Sequence, residues 1–214
     1  DHSGGLPLLV KRGFDRKILC TPATADLCGV MLMDSAHLQE EDARFFNKIH
    51  AGEGQTIEPL YDQDDARRCL GLFSGTEFEA AIPLGERVRA RFHNAGHVLG
   101  SAMIEVEADT PKGRRRLLFT GDLGRRDTLL LDPPEIPKPV DYLLIESTYG
   151  NRVHEPVGII EGQMTTVIER AVREKGKILI PSFALERTQE ILFVLEKLRR
   201  RRARKKEGEG DKTS

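Results

Sequence analysis

The stretch Phe92-His-Asn-Ala-Gly-His-Val-Leu-Gly-Ser101 ends an alternating apolar and charged run and places His97 in a glycine-flanked break. A second stretch, Phe119-Thr-Gly-Asp-Leu-Gly124, repeats this arrangement around Asp122. Packing behind the end of a strand fixes the geometry of a side chain there, so strand ends hold metal ligands well. An imidazole and a carboxylate suit Zn²⁺, and a carboxylate can bridge two metal ions. The two stretches therefore predict a metal site, although an ordinary Asp turn explains the second stretch equally well.

The pattern around these stretches is that of a sheet. Residues 88–92 alternate apolar side chains with arginines, which predicts a half-exposed strand. By the same parity, we expect His93 to lie on the exposed face with the arginines. Residues 102–107 and 116–120 are expected to follow as antiparallel strands.

The rest of the chain mixes helical and strand patterns. Thr24 is predicted to cap the first long helix. We expect helices over residues 25–34, 34–49, 63–73, 159–175 and 185–199, and further strands over 17–20, 140–146 and 177–181. The strand over 140–146 is apolar enough to be buried, and it ends on Glu146.

Composition excludes several protein classes. The 214 residues are 39% apolar and 31% charged, which is typical of a globular protein of one to two domains. Its apolar runs are too short to span a membrane. The three cysteines are too sparse for a disulfide framework or a zinc ribbon. We expect them to be buried thiols of a cytoplasmic protein.

Charge is nearly balanced, with 33 basic and 34 acidic residues, so it does not by itself indicate a nucleic-acid binder. The exception is Arg199-Arg-Arg-Arg-Ala-Arg-Lys-Lys206, which carries seven positive charges in eight residues. This run suits an arm that contacts phosphates. It equally suits a solvated helix end, where cations interact favourably with the helix dipole.

Five ordered segments resemble a known family. They are Asp1-His-Ser-Gly-Gly-Leu-Pro7, Ala95-Gly-His-Val-Leu-Gly-Ser101, Phe119-Thr-Gly-Asp-Leu-Gly124, Glu146-Ser-Thr-Tyr-Gly-Asn-Arg152 and Ile180-Pro-Ser-Phe-Ala-Leu-Glu-Arg-Thr-Gln-Glu190. The first three resemble the metallo-β-lactamase fold hydrolases. The last two resemble the β-CASP branch, whose members include the cleavage and polyadenylation endonuclease subunit and its bacterial and archaeal relatives.

The resemblance implies an α/β fold, a four-layer αββα sandwich that lacks its N-terminal part. Residues 1–150 would form the metallo-β-lactamase core and residues 151–199 the start of a β-CASP domain. Residues 200–214 would be a basic and polar tail, for which we predict disorder. Because the family's His-x-His residues and its later motif histidines are not in this sequence, we expect an internal fragment of a longer protein.

The resemblance also implies roles for individual residues. His97 resembles a ligand of the first of two zinc ions, and Asp122 the ligand that bridges them. Asp1 and His2 resemble ligands of the second zinc. Glu146 matches an acidic residue that hydrogen-bonds the metal-site histidines and orients their rings. The implied catalytic residues are Asp1, Asp122 and Glu146.

The implied reaction is hydrolysis of RNA phosphodiester bonds by a hydroxide that two metals activate. Ser182 and Arg187 would bind a phosphate of the RNA, although a helix cap and a surface residue explain them equally well. The fragment alone is expected to be inactive, and a homodimer is one option for assembly. Two alternatives stay open: a small-molecule hydrolase of the thioesterase or lactonase type, and a non-catalytic RNA-processing subunit.

Overall fold

The computed structural model describes residues 2–52, 54, 56–153 and 156–210, and the side chains of residues 157 and 205–210 are outside the description. The helices are α1 (Leu6–Lys11), α2 (Pro22–Ile49), α3 (Gln63–Leu70), α4 (Val157–Glu174) and α5 (Arg187–Gly210). The strands are β1 (Ile18–Cys20), β2 (Phe73–Gly75), β3 (Ile82–Pro83), β4 (Val88–Asn94), β5 (Ala102–Thr110), β6 (Gly113–Phe119) and β7 (Tyr142–Leu144). The fold is mixed α/β, as predicted.

Two sheets are present in the described part of the chain. Strands β1 and β2 pair in parallel, and the other sheet has the order β3-β4-β5-β6-β7. Strands β4, β5 and β6 are consecutive and antiparallel, which confirms the prediction from alternation. Strand β7 joins the edge of the larger sheet in parallel with β6.

Helix α2 is one continuous helix of 28 residues, so the prediction of two helical runs is wrong. The predicted cap is also wrong, because the side chain of Thr21 accepts a hydrogen bond from the backbone N–H of Thr24. Thr21 thus occupies the N-cap position, and Thr24 lies in the first turn. Helices α1, α2 and α3 enclose a shared core, whose buried members are Val10, Cys28, Leu32, Ala36, Tyr61, Ala66 and Cys69.

All three cysteines are free and buried, as the sequence predicts. Burial raises the pKa of the Cys69 thiol to about 11, so the thiol stays neutral and packs as a small apolar group. None of the helices in the described ranges is both long and apolar enough to cross a membrane.

The two faces of the larger sheet differ near the end of β4. On one face Ala90 and Phe92 pack with Ile82, which belongs to the neighbouring strand β3 of the same sheet. On the other, Val140 packs against a buried cluster that contains Ala95, Met103 and Leu118. Covering of the second face overturns one prediction: His93 is only 5% exposed, although it shares that face with the arginines.

Three other expectations differ from the structure. Strand β7 is not buried, since Tyr142, Leu143 and Leu144 at the sheet edge are each more than half exposed. Residues 177–181 have no strand partner among the described residues, and backbone groups form a strand only when a partner satisfies them. Helix α5 extends through residue 210, into the segment predicted to be disordered, while residues 211–214 lie outside the description.

Candidate metal centre

His97 lies in a tightly built turn between β4 and β5. The side-chain oxygen of Ser101 accepts hydrogen bonds from the backbone N–H groups of His97, at 3.0 Å, and Val98, at 3.1 Å. Gly100 has φ +82°, and its carbonyl accepts hydrogen bonds from the hydroxyls of Thr21, at 2.7 Å, and Thr24, at 3.0 Å. The first turn of α2 therefore holds the turn that carries His97.

Asp122 lies in the loop that follows β6, and this loop contacts the His97 turn directly. The backbone N–H of Gly124 donates to the carbonyl of Ala95 at 2.8 Å. A Cβ atom at Gly124 would overlap the carbonyl of Gly96. Only glycine fits this approach, which brings the two predicted ligand loops together.

Two imidazoles converge on one carboxylate oxygen. The Oδ2 atom of Asp122 lies 3.3 Å from Nε2 of His2 and 3.6 Å from Nε2 of His97. His97 and Asp122 are each about one-third exposed, so both are accessible to a ligand. These three residues also line one end of a cleft of about 490 Å³. Asp1, the remaining predicted ligand, lies outside the described residues.

This donor set fits zinc. Imidazole nitrogens and carboxylate oxygens are its usual ligands in proteins. The structure therefore brings together His2, His97 and Asp122, three of the four predicted ligands.

Glu146 lies behind the Asp122 loop. Its carboxylate accepts hydrogen bonds from the backbone N–H groups of Leu123, at 2.9 Å, and Thr148, at 3.2 Å. The bond from Leu123, a hydrogen bond from the Thr148 side chain and the bond from the Thr148 backbone hold the pKa of Glu146 below its usual value, with a smaller electrostatic contribution from His97. Glu146 therefore stays ionised and fixes the loop next to Asp122. Its predicted hydrogen bond to the metal-site histidines stays a prediction.

Ser182 lies on the segment that leads into α5, and Arg187 is the first residue of that helix. Arg187 lines a cavity of about 540 Å³ together with His97 and the helix α2 residues Asp34 and Asp42. Its guanidinium also donates to Glu190 at 2.8 Å. The Ser182 hydroxyl is exposed and lies 3.0 Å from the hydroxyl of Thr188.

Several known proteins are similar to this chain over about nine-tenths of its length. A ribonuclease of Thermus thermophilus is 33% identical over 91% of this chain and 40% of its own length. The transcription termination factor FttA of Pyrococcus abyssi is 33% identical over 92% of this chain and 28% of its own length. The cleavage and polyadenylation specificity factor subunit 3 of Dictyostelium discoideum is 32% identical over 92% of this chain and 23% of its own length.

The chain is a homologue of the β-CASP proteins of the metallo-β-lactamase family. The resemblance drawn from its motifs is confirmed. No protein-family model matches the chain. The chain spans well under half the length of these relatives.

Glu186, which no sequence motif singles out as a site residue, also borders the cavity beside His97. Burial and the neighbouring charge of Glu190 raise the pKa of its carboxyl, and His97 and Arg187 partly offset this effect. Glu186 has φ +64°, a conformation that an L residue rarely adopts. No local sequence signal marks such a residue, because its surroundings come from distant parts of the chain.

Proposed function

We propose that the protein containing this chain is a metal-dependent ribonuclease that hydrolyses RNA phosphodiester bonds. The observation that carries the proposal is the convergence of His2 and His97 on one oxygen of Asp122. It occurs in a chain that is one-third identical, over nine-tenths of its length, to a protein named as a ribonuclease. Because the chain spans only part of its relatives, the proposal concerns the whole protein.

The metal that we propose is zinc, with two ions per site. His2 and His97 each offer one nitrogen, and Asp122 offers an oxygen to both sides. When bound, zinc supplies Lewis-acid chemistry, making hydroxide available near neutral pH and neutralising charge that develops on a phosphoryl oxygen. Asp1 and the family's other ligands would complete the set.

The chain's own residues orient the site. The first turn of α2 holds the His97 turn through Gly100, and Glu146 holds the Asp122 loop through the N–H of Leu123. Both ligands therefore keep their positions before substrate arrives, which is how a preorganised site lowers the reaction barrier.

The cavity beside His97 supports a path for the RNA. Arg187 lines it and presents a guanidinium, which is suited to a phosphate. In the absence of RNA this guanidinium pairs with Glu190, so binding a phosphate would exchange one partner for another. Ser182 is also exposed, and its hydroxyl would contact a phosphate of the same RNA.

The wider architecture is part of the same proposal. We place the chain in a four-layer αββα sandwich over residues 1–150, followed by the start of a β-CASP domain over 151–199. The three free, buried thiols support a reducing compartment such as the cytoplasm.

The test compares Asp122→Ala with wild type in the full-length protein. Zinc content is measured by mass spectrometry, and activity by cleavage of a labelled single-stranded RNA. Loss of a bridging ligand should lower RNA cleavage by at least about 100-fold and reduce the zinc content. Asp15→Ala is the matched control, because the Asp15 side chain is 85% exposed and pairs with its neighbour Arg16.

Unchanged zinc and unchanged cleavage in Asp122→Ala would contradict the assignment. Hydrolysis of thioesters or lactones by the wild-type protein, with no cleavage of RNA, would instead favour a small-molecule hydrolase of the same fold.

A further inference from the structure

A second cluster of metal-ligand side chains lies on β4, separate from the His2, His97 and Asp122 site. One ligand atom each from Glu79, His93 and Glu135 lies within 4.8 Å of the others. We call these three residues the His93 cluster. The family resemblance assigns no role to any of them.

His93 is held as metal-binding histidines usually are. Its side chain is 6% exposed, and Nε2 lies 2.9 Å from Oε2 of Glu105. Glu105 is 2% exposed and accepts two hydrogen bonds from Arg116, at 3.0 and 2.7 Å. A carboxylate on one ring nitrogen fixes the tautomer and aims the other nitrogen outward. Here the other nitrogen, Nδ1, faces Glu79 and Glu135.

The two carboxylates are positioned by the backbone. Glu79 has φ +62°, and its N–H donates to the carbonyl of Phe92 at 2.9 Å. The N–H of Glu135 donates to the carbonyl of Asn94 at 2.9 Å, and its carboxylate accepts from the N–H of Asn94 at 3.1 Å. Both residues are thus anchored to β4, one on each side of His93.

The carboxylates around His93 carry negative charge that a cation would neutralise. Arg116 compensates Glu105, whereas Glu79 and Glu135 bring two further negative charges to the free face of the ring. Nε2 contacts Glu105, so Nδ1 and the carboxylates of Glu79 and Glu135 are the groups that would ligate a cation. A divalent ion satisfies both carboxylates as well as the ring nitrogen.

We propose that Glu79, His93 and Glu135 bind one divalent transition-metal ion, for which Zn²⁺ is the best match. One imidazole nitrogen and two carboxylate oxygens suit Zn²⁺, while Mg²⁺ and Ca²⁺ prefer all-oxygen sets. About half of each glutamate side chain is exposed, so the ion can enter from solvent and water can complete its coordination.

The role of this ion is structural. It ties the segment that carries Glu135 to His93 on β4, and His93 lies four residues before His97. This segment already packs on the His97 turn, because a Cβ at Gly96 would lie within 3 Å of Pro134 and Asp132 backbone atoms. Zinc in the His93 cluster therefore supports the turn near Gly96, whereas helix α2 contacts it at Gly100.

The test uses the full-length protein carrying Asp122→Ala, which removes the bridging ligand of the other site. Into it we introduce Glu79→Gln or, as the matched control, Glu77→Gln, which changes a nearby exposed glutamate outside the cluster. Each protein is stripped with a chelator, titrated with Zn²⁺ by calorimetry and then with Co²⁺, whose visible absorption reports nitrogen and oxygen ligands.

We expect the Glu79→Gln protein to lose one Zn²⁺ site, or to bind it at least about 10-fold more weakly, and to lose part of the Co²⁺ absorption. The Glu77→Gln protein should retain this Zn²⁺ site and the full Co²⁺ absorption. Equal Zn²⁺ binding and equal Co²⁺ spectra in the two proteins would overturn the proposal. That result would leave the Asp122 comparison with wild type untouched, so the two proposals fail separately.

Discussion

Substituting Gly100 by alanine tests how helix α2 holds the turn that carries His97. Gly100 has φ +82°, and a Cβ there would lie 2.7 Å from the backbone nitrogen of Thr24 and 2.8 Å from the hydroxyl oxygen of Thr21. The nearest atom is backbone, so the turn must move away from the helix. That movement breaks the hydrogen bonds from Thr21 and Thr24 to the Gly100 carbonyl.

The expected magnitude has two parts. An alanine in a left-handed conformation costs about 1–2 kcal/mol. Loss of the two hydrogen bonds adds about 1 kcal/mol each. The free energy of unfolding should therefore fall by about 3–4 kcal/mol. Gly113→Ala is the matched control, since Gly113 has φ +97° and no atom near the added Cβ, and it should cost only about 1–2 kcal/mol.

The assay is urea denaturation followed by circular dichroism, with zinc affinity measured alongside. Gly100→Ala should also bind zinc more weakly, because His97 moves with the turn, whereas Gly113→Ala lies at the far end of the β5–β6 hairpin and should not. Equal losses of stability in the two variants would refute the reasoning, since the contact with α2 would then contribute nothing.

Other predictions concern buried charge and pH. Arg116→Met removes a positive charge that pairs with the buried carboxylate of Glu105, and should lower the free energy of unfolding by about 3 kcal/mol. Arg115→Met breaks an exposed pair with Asp141 and should lower it by about 0.5 kcal/mol. Similar losses for the two variants in urea denaturation would argue against a dominant role for burial. Glu146 has a lowered pKa in the folded protein, so its stabilising contribution is complete above the pKa of the unfolded chain and is lost as the pH falls through the folded-state pKa. Wild type should therefore be more stable than Glu146→Gln at neutral pH and converge with it in acid; a difference that stays constant with pH would contradict this.

Much of the site was predictable because its signals are local. Alternation over residues 88–92 and the hairpin residues after β5 define three antiparallel strands without reference to distant contacts. The glycines around His97 and Asp122 mark the ends of β4 and β6, where the two candidate ligands are placed. Convergence of both on one position follows from pairing of β4 and β6 with the same strand, β5.

The sequence by itself determined the resemblance to the family, the strands around the site and the choice of candidate ligands. Only the tertiary structure decided which surfaces are covered. Parity places His93 with the arginines, but it does not reveal that residues 132–140 cover that face and bury the ring beside Glu105. Likewise, the apolar sequence of β7 does not reveal that this strand lies at the edge of the sheet, where its side chains are more than half exposed. Burial depends on segments far away in sequence, and local patterns carry no information about where those segments pack.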